Sequence, residues 1–320
     1  MLRRMSYRLA LLLCAGAICR ADITLHYTLE FKVSDTAPAA FTAPMKQTMA
    51  TMLPTSQVMK MKGTKTLSAI GPLSAIVDNA DSTITLLNPA TKQFAKISMA
   101  DYLAALQPMM AMPAAAQQAL AGMNFDVSSS DTGQTAMVAG IRATEHLLTL
   151  SMSMNLPGVP TPAGPLMHVD MHMWRASPDD FGRIPALREY SASVARAMSV
   201  FNPAGAMQQM FSQMPGFGDK FAAAMQDLSG SGNLTVKMQE SIFMPIMAQL
   251  APGADPKLPM MEMNMNLADI SEAPLDDALF LPPSDYQSVS AAEMVKALRP
   301  AVPATATPAP AAAARPPLAP

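Results

Sequence analysis

The sequence predicts an α+β protein in which long antiparallel strands, each apolar on one side, alternate with inserted helices. Three observations carry the prediction. Four segments alternate apolar and polar residues with period two. Three short strands follow one another across tight turns, and capped helical stripes interrupt the series.

Ahead of the first strand, residues 1–21 read as an export signal. Arg3, Arg4 and Arg8 form its positive segment, Leu9 to Ile18 its apolar run, and Ala21 is the small residue at the expected cut before Asp22. The run is too short for a bilayer crossing, which needs about 20 residues. Cys14 and Cys19 both fall inside it, behind Leu13 and Ile18 rather than the small residue a lipoprotein signal uses. Cleavage takes four of the 22 basic residues and none of the 24 acidic ones, so the net charge moves from −2 to −6. The mature chain is then free of cysteine, expected in the periplasm or outside the cell, and held without disulfides.

The first strand runs from Ile23 to Val33, with Ile23, Leu25, Tyr27, Leu29, Phe31 and Val33 on one side. A meander follows over Leu73 to Val77, Thr83 to Leu87 and Gln93 to Ile97, turning at Asp78-Asn79 and Asn88-Pro89-Ala90-Thr91. Ser98 with Asp101 three residues on is a capping box that opens a helix through Tyr102, Leu103 and Leu106. Three more long strands place Leu148, Leu150, Met152, Met154 and Leu156 together, then Met167, Val169, Met171 and Met173, then Met261, Met263, Met265 and Leu267. One-sided strands favour antiparallel pairing, because parallel strands are usually apolar on both faces. Between them, Ser177-Pro178-Asp179-Asp180 starts a helix with the stripe Leu187, Tyr190, Val194, Met198 and Phe201. Two further helical stripes carry Met207, Met210, Phe211 and Met214, then Phe217, Phe221, Met225 and Leu228. Gly230-Ser231-Gly232 breaks the last, and Leu234, Val236 and Met238 return to strand. The domain closes near residue 298. From 299 to 320 the chain is a Pro/Ala-rich tail, expected to be extended and solvated.

Composition narrows function by exclusion. Charged residues are 14% of the chain and the balance is slightly acidic, so no basic field exists to recruit nucleic acid. Four histidines and two cysteines give poor support to zinc sites or thiol catalysis. No nucleophile elbow, phosphate-cradling loop or dinucleotide fingerprint is present, so the chain is expected to be no enzyme and to use no cofactor.

The order of pieces resembles the LolA/LolB-like lipoprotein-carrier superfamily, most closely its uncharacterised periplasmic branch with a domain of unknown function. The resemblance rests on four features. These are the meander with Ile76-Val77-Asp78 and Leu86-Leu87-Asn88-Pro89, and Thr132-Gly133-Gln134-Thr135 leading to Val138-Ala139-Gly140. The others are a strand ending in Trp174 before a helix, and Ile270 through Pro274-Leu275-Asp276-Asp277-Ala278-Leu279-Phe280-Leu281-Pro282 with Tyr286 and Val289 behind. It covers residues 22–289 and implies an antiparallel half-barrel over residues 22–298 whose concave apolar face is covered by helices and holds acyl chains. Lipoprotein transport itself is not implied. No arginine maps onto the carriers' functional one, and the inserts at Pro108 to Pro113 and Pro157 to Pro165 depart from their pattern.

A lipid or acyl-chain ligand is therefore expected on an apolar face made by Leu148, Leu150, Met152, Met154, Met171, Met173, Met261, Met263 and Met265. Unbranched, polarizable thioethers adapt to irregular apolar partners. The stripes from Leu187 to Phe201 and from Phe217 to Leu228 would be its cover. An alternative is a Cu(I)-binding protein using soft thioethers, with Met109, Met110 and Met112 as a loop between Pro108 and Pro113. A third is an envelope structural or interaction protein with a filled interior and the Pro/Ala tail as its contact. His168-x-Asp170-x-His172 is the one metal-like constellation, but on a strand its histidines stand about 13 Å apart, too far to share an ion. A polar face closed by Trp174 is the expected reading there.

Overall fold

The computed structural model describes residues 22–34, 42–43, 46–47, 54–70, 72–110, 122–154, 164–200, 217–229, 234–246 and 255–296. The expected signal over 1–21, the tail over 299–320, Met112, Leu156, Phe201, the Met207 to Met214 stripe and Gly230-Ser231-Gly232 lie outside those residues.

Among the described residues twelve strands join one open sheet. They are β1 (Ile23–Val33), β2 (Ser56–Lys62), β3 (Lys65–Ile70), β4 (Leu73–Asp78), β5 (Thr83–Asn88) and β6 (Gln93–Ser98), then β7 (Met123–Val138), β8 (Ile141–Met154), β9 (Met167–Ala176), β10 (Leu234–Phe243), β11 (Met261–Ser271) and β12 (Gln287–Ser288). Their spatial order is β12-β6-β5-β4-β3-β2-β1-β11-β10-β9-β8-β7. Two meanders, one from each half of the chain, thus meet where β1 pairs antiparallel with β11. Only β12 runs parallel to its neighbour, on β6. The helices are α1 (Met99–Met110), α2 (Pro178–Phe181), α3 (Pro185–Val200), α4 (Phe217–Ser229) and α5 (Ala291–Lys296), with a 3₁₀ turn at Asp277–Phe280. The expected α+β class, a mainly antiparallel sheet with inserted helices, is what the fold presents.

Local chemistry explains most of the turns. Asn88 Oδ1 accepts from the backbone N–H of Ala90 at 3.1 Å and of Thr91 at 3.3 Å, and Asp78 Oδ1 accepts from Ala80 at 3.0 Å. The β7–β8 hairpin turns through Ala139 and Gly140, both at positive φ (47° and 78°), the geometry that matches the twist of paired strands. Ser98 Oγ accepts from the Asp101 N–H at 3.0 Å and donates back to its carboxylate at 2.7 Å, opening α1 as expected.

The helix expected to run on from Ser177 is instead two helices. Ser177 caps α2 in a full capping box with Asp180, but the chain breaks before Pro185. A proline ring inside a helix clashes with the carbonyl four residues back, here that of Phe181. Gly182 makes the corner: a Cβ there would lie 2.9 Å from the Pro178 carbonyl oxygen. Gly182→Ala is expected to lower stability by about 1–2 kcal/mol, read as a lower midpoint in urea at an unchanged slope.

Among the described residues four buried clusters hold the sheet. The largest gathers Ile23, Leu25 and Tyr27 of β1, Met61 of β2, Ile141 and Ala143 of β8, Trp174 and Ala176 of β9, Val236 and Leu267, all against Phe181, Ala186 and Leu187 of the helical insertion. The meander β4–β6 is buried on both faces. Leu73, Ala75, Ile84, Leu86 and Ala95 pack with Met294 of α5, while Ile76 and Leu87 pack with Phe280. A third cluster sets Ala224 of α4 on Leu148 and Met173. Among the described residues no helix is long and apolar enough to cross a membrane.

Candidate functional site

Residues paired across neighbouring strands share a face of the sheet, so the register decides where the nine expected ligand-face residues stand. Met173, Met238, Met265 and Leu29 form one row across β9, β10, β11 and β1. Leu148, Met171, Glu240, Met263 and Phe31 form the next, and Leu150, Val169, Ile242, Met261 and Val33 the third. Met152 stands opposite Met167 and Phe125, and Met154 opposite Met123. All nine share one side of a continuous patch. Its full rows span five strands, about 19 Å at the usual strand spacing.

Cover is uneven across the patch. Leu148 and Met173 are buried under Ala224, with Val127, Leu150, Met171 and Met238 packed against that cluster. Phe217 of α4 meets Phe125 edge-on with ring centroids 5.3 Å apart, and Lys220 of the same helix bonds the Phe125 carbonyl at 3.1 Å and the Asp126 carboxylate at 3.0 Å. Met265 packs against the largest core cluster. Met152, Met154, Met261 and Met263 are half-buried. Of the expected covering stripes, Phe217 meets Phe125, while Leu187 and Tyr190 join the largest core cluster; Ala224, which covers Leu148 and Met173, is not one of the stripe residues.

Glu240 and Arg175 interrupt this apolar side on β10 and β9, and the alternation alone does not single them out. Glu240 stands in the central row between Met171 and Met263. Its carboxyl is half-buried with no partner among the described residues, and burial pushes its pKa up. Arg175 follows Met171 and Met173 on the same side of β9, opposite Thr144 and Thr235. It is 7% exposed, and its Nη1 is buried without a hydrogen bond. Burial lowers its pKa while the charge of Asp131 opposes that shift, and Asp131 itself pairs with His146. The signal for both was simple. The alternation continues two residues past the last methionine of each segment, to a charged residue.

The other side of the same strands is polar and tightly bonded. His168 Nδ1 meets Ser151 Oγ at 2.8 Å and its Nε2 meets Asp170 at 2.9 Å, while Thr149 donates to Asp170 at 3.2 Å. His172 instead pairs through Nδ1 with Glu145 at 2.8 Å. The two histidines of the metal-like motif are thus committed to different partners, and among the described residues no group of three or more candidate ligands gathers. Ser151, His168 and Asp170 do string together like a nucleophile, base and acid. Both edges of β8 at Ser151 are paired, to Asp126 and His168, so its strand backbone is engaged in the ladder rather than offered to an oxyanion.

Glu145 is the most enclosed acid of this side, 3% exposed. Burial pushes its pKa up, but hydrogen bonds from Thr132 and His172 and the charges of His172 and Lys237 outweigh it, leaving the carboxyl below its ordinary value. Trp174 stacks near His172 with centroids 6.3 Å apart, and the Lys237 ammonium lies 4.0 Å over the indole. The expected copper loop is different from its reading: Met109 and Met110 close helix α1. No family model matches the chain, and no curated protein matches it.

Proposed function

We propose that this chain is an exported, non-enzymatic protein that binds or shields a lipid-like ligand on the methionine-rich side of a half-barrel. The reading is supported above all by one observation. Nine residues singled out by alternation alone stand on one side of the sheet, with most of them only half-buried beside helix α4. A plain core would have buried them. The resemblance to lipoprotein carriers, whose curved sheet holds acyl chains, points the same way.

The driving force is desolvation. Each buried methylene contributes about 0.8 kcal/mol, so ten of them give roughly 8 kcal/mol before ordering costs. Methionines let one surface follow chains of different shape. Met109 and Met110 of the copper alternative stand at the end of helix α1, and Met112 lies outside the described residues.

The test is titration of delipidated protein, starting at Asp22, with a fluorescent fatty acid. Binding in the micromolar range is expected, and Met171→Asp with Met263→Asp should weaken it at least tenfold. These positions flank Glu240 in one row, so added carboxylates there also repel. Absence of binding, together with absence of lipid in the natively purified protein, would remove the proposal.

A further inference from the structure

A guanidinium does not shed its proton inside a protein, so a buried one needs an acceptor. Arg175 lacks one at Nη1. The residue is 7% exposed, and among the described residues its guanidinium has neither a hydrogen bond nor an ion pair. The neighbouring acid that raises its pKa, Asp131, is taken up by His146. Its direct cross-strand neighbours, Thr144 and Thr235, are uncharged and offer no counter-ion. Leaving a charge buried and unmatched is among the costliest arrangements in a fold.

Its place in the sheet supplies the reason. Arg175 continues the side of β9 that carries Met171 and Met173, so it terminates the apolar stripe rather than belonging to the polar side. From Arg175 back to Met167 the stripe runs about 26 Å along the strand. The geometry points to Arg175 as an anion-binding residue at the head of this stripe, taking the carboxylate or phosphate of an amphiphile whose apolar tail lies over Met173, Met171 and their row partners. This rests on the proposed function of that side. A planar fork of donors suits both anions, because each offers paired oxygens. Glu240 does not oppose such a ligand at its head. Standing opposite Met171, it is set about 13 Å down the strands from Arg175, beside the tail.

The experiment compares a dansyl-labelled undecanoic acid with its methyl ester, each titrated against the delipidated protein beginning at Asp22. The wild type is expected to bind the acid at least tenfold more tightly than the ester. Arg175→Met should abolish that preference and leave ester binding within about twofold, and Arg175→Lys should keep a reduced preference of about threefold. The wild-type comparison needs no variant, so a misfolded Arg175→Met leaves the test intact. Equal binding of acid and ester by the wild type would overturn the role of Arg175 while the apolar ligand face stands. Preference retained in Arg175→Met would do the same. Binding of neither probe removes the ligand face and this inference together. Inorganic phosphate alone is the third arm. If it raises the melting temperature of the wild type but not of Arg175→Met, and the acid shows no preference over the ester, the residue serves a free anion and the head-group assignment falls.

Discussion

Phe181→Ala is expected to cost about 3–5 kcal/mol, the largest loss predicted for any single side chain discussed for this protein. Phe181 is 1% exposed and closes the one-turn helix α2. It sits in the cluster that gathers strands from both meanders, from Ile23 and Met61 at one side to Ile141 and Trp174 at the other. A cavity there is lined by residues of at least four strands, none of which can collapse into it without moving its pairing partner. Urea unfolding should show the midpoint falling with its slope preserved, and Phe181→Leu should recover more than half of the loss. A loss below about 1 kcal/mol would mean that the two halves of the sheet do not depend on this insertion.

Glu145→Gln is the second large effect, about 2 kcal/mol at neutral pH, and its sign against pH identifies its cause. Glutamine keeps the shape and can still accept from Thr132, but loses the charge that His172 and Lys237 favour. His172 is 37% exposed, so water screens the pair from one side and holds the effect below that of a fully buried ion pair. The carboxyl has a depressed pKa in the fold. Its contribution is therefore complete above the ordinary glutamate value of about 4.3 and is lost as the pH falls through the lower folded value. Wild type and variant should differ at pH 7 and converge toward pH 3. A gap that stays constant across that range would assign the loss to packing instead of charge.

Much of the sheet was legible because alternation is a local property. Alternation marks the first strand as Ile23 to Val33, the range it occupies, and the short meander strands each extend one residue further than their pattern. Strands β2, β3 and β7 escaped the reading for compositional reasons. Lysines at Lys60, Lys62 and Lys65 dilute the alternation of β2 and β3, and β7 carries Ser128-Ser129-Ser130-Asp131-Thr132 at the edge of the sheet, where one side needs little apolar surface. Strand β8 shows the limit of pattern reading most clearly. Its first residues bury the odd positions Ile141, Ala143 and Glu145, while farther on Leu148 is the buried one. The start of β8 packs with Phe181 and Leu187, and Leu148 packs with Ala224. No single period describes a strand whose protected side changes along its length.

Sequence alone determined the chemistry of each strand face, because a side chain's side follows from its position in an extended backbone. It set the methionines opposite the Ser, Asn and His residues, and it placed the caps at Ser98 and Ser177. Tertiary structure decided which faces meet and what is left over. Pairing β1 with β11 joined residues more than 200 positions apart, pairing β10 with β9 and β11 set Glu240 among methionines, and packing buried Arg175 with its Nη1 unbonded. Alternation marks a charged residue at 175 on the methionine side, but whether it is buried and unbonded depends on packing partners distant in the chain.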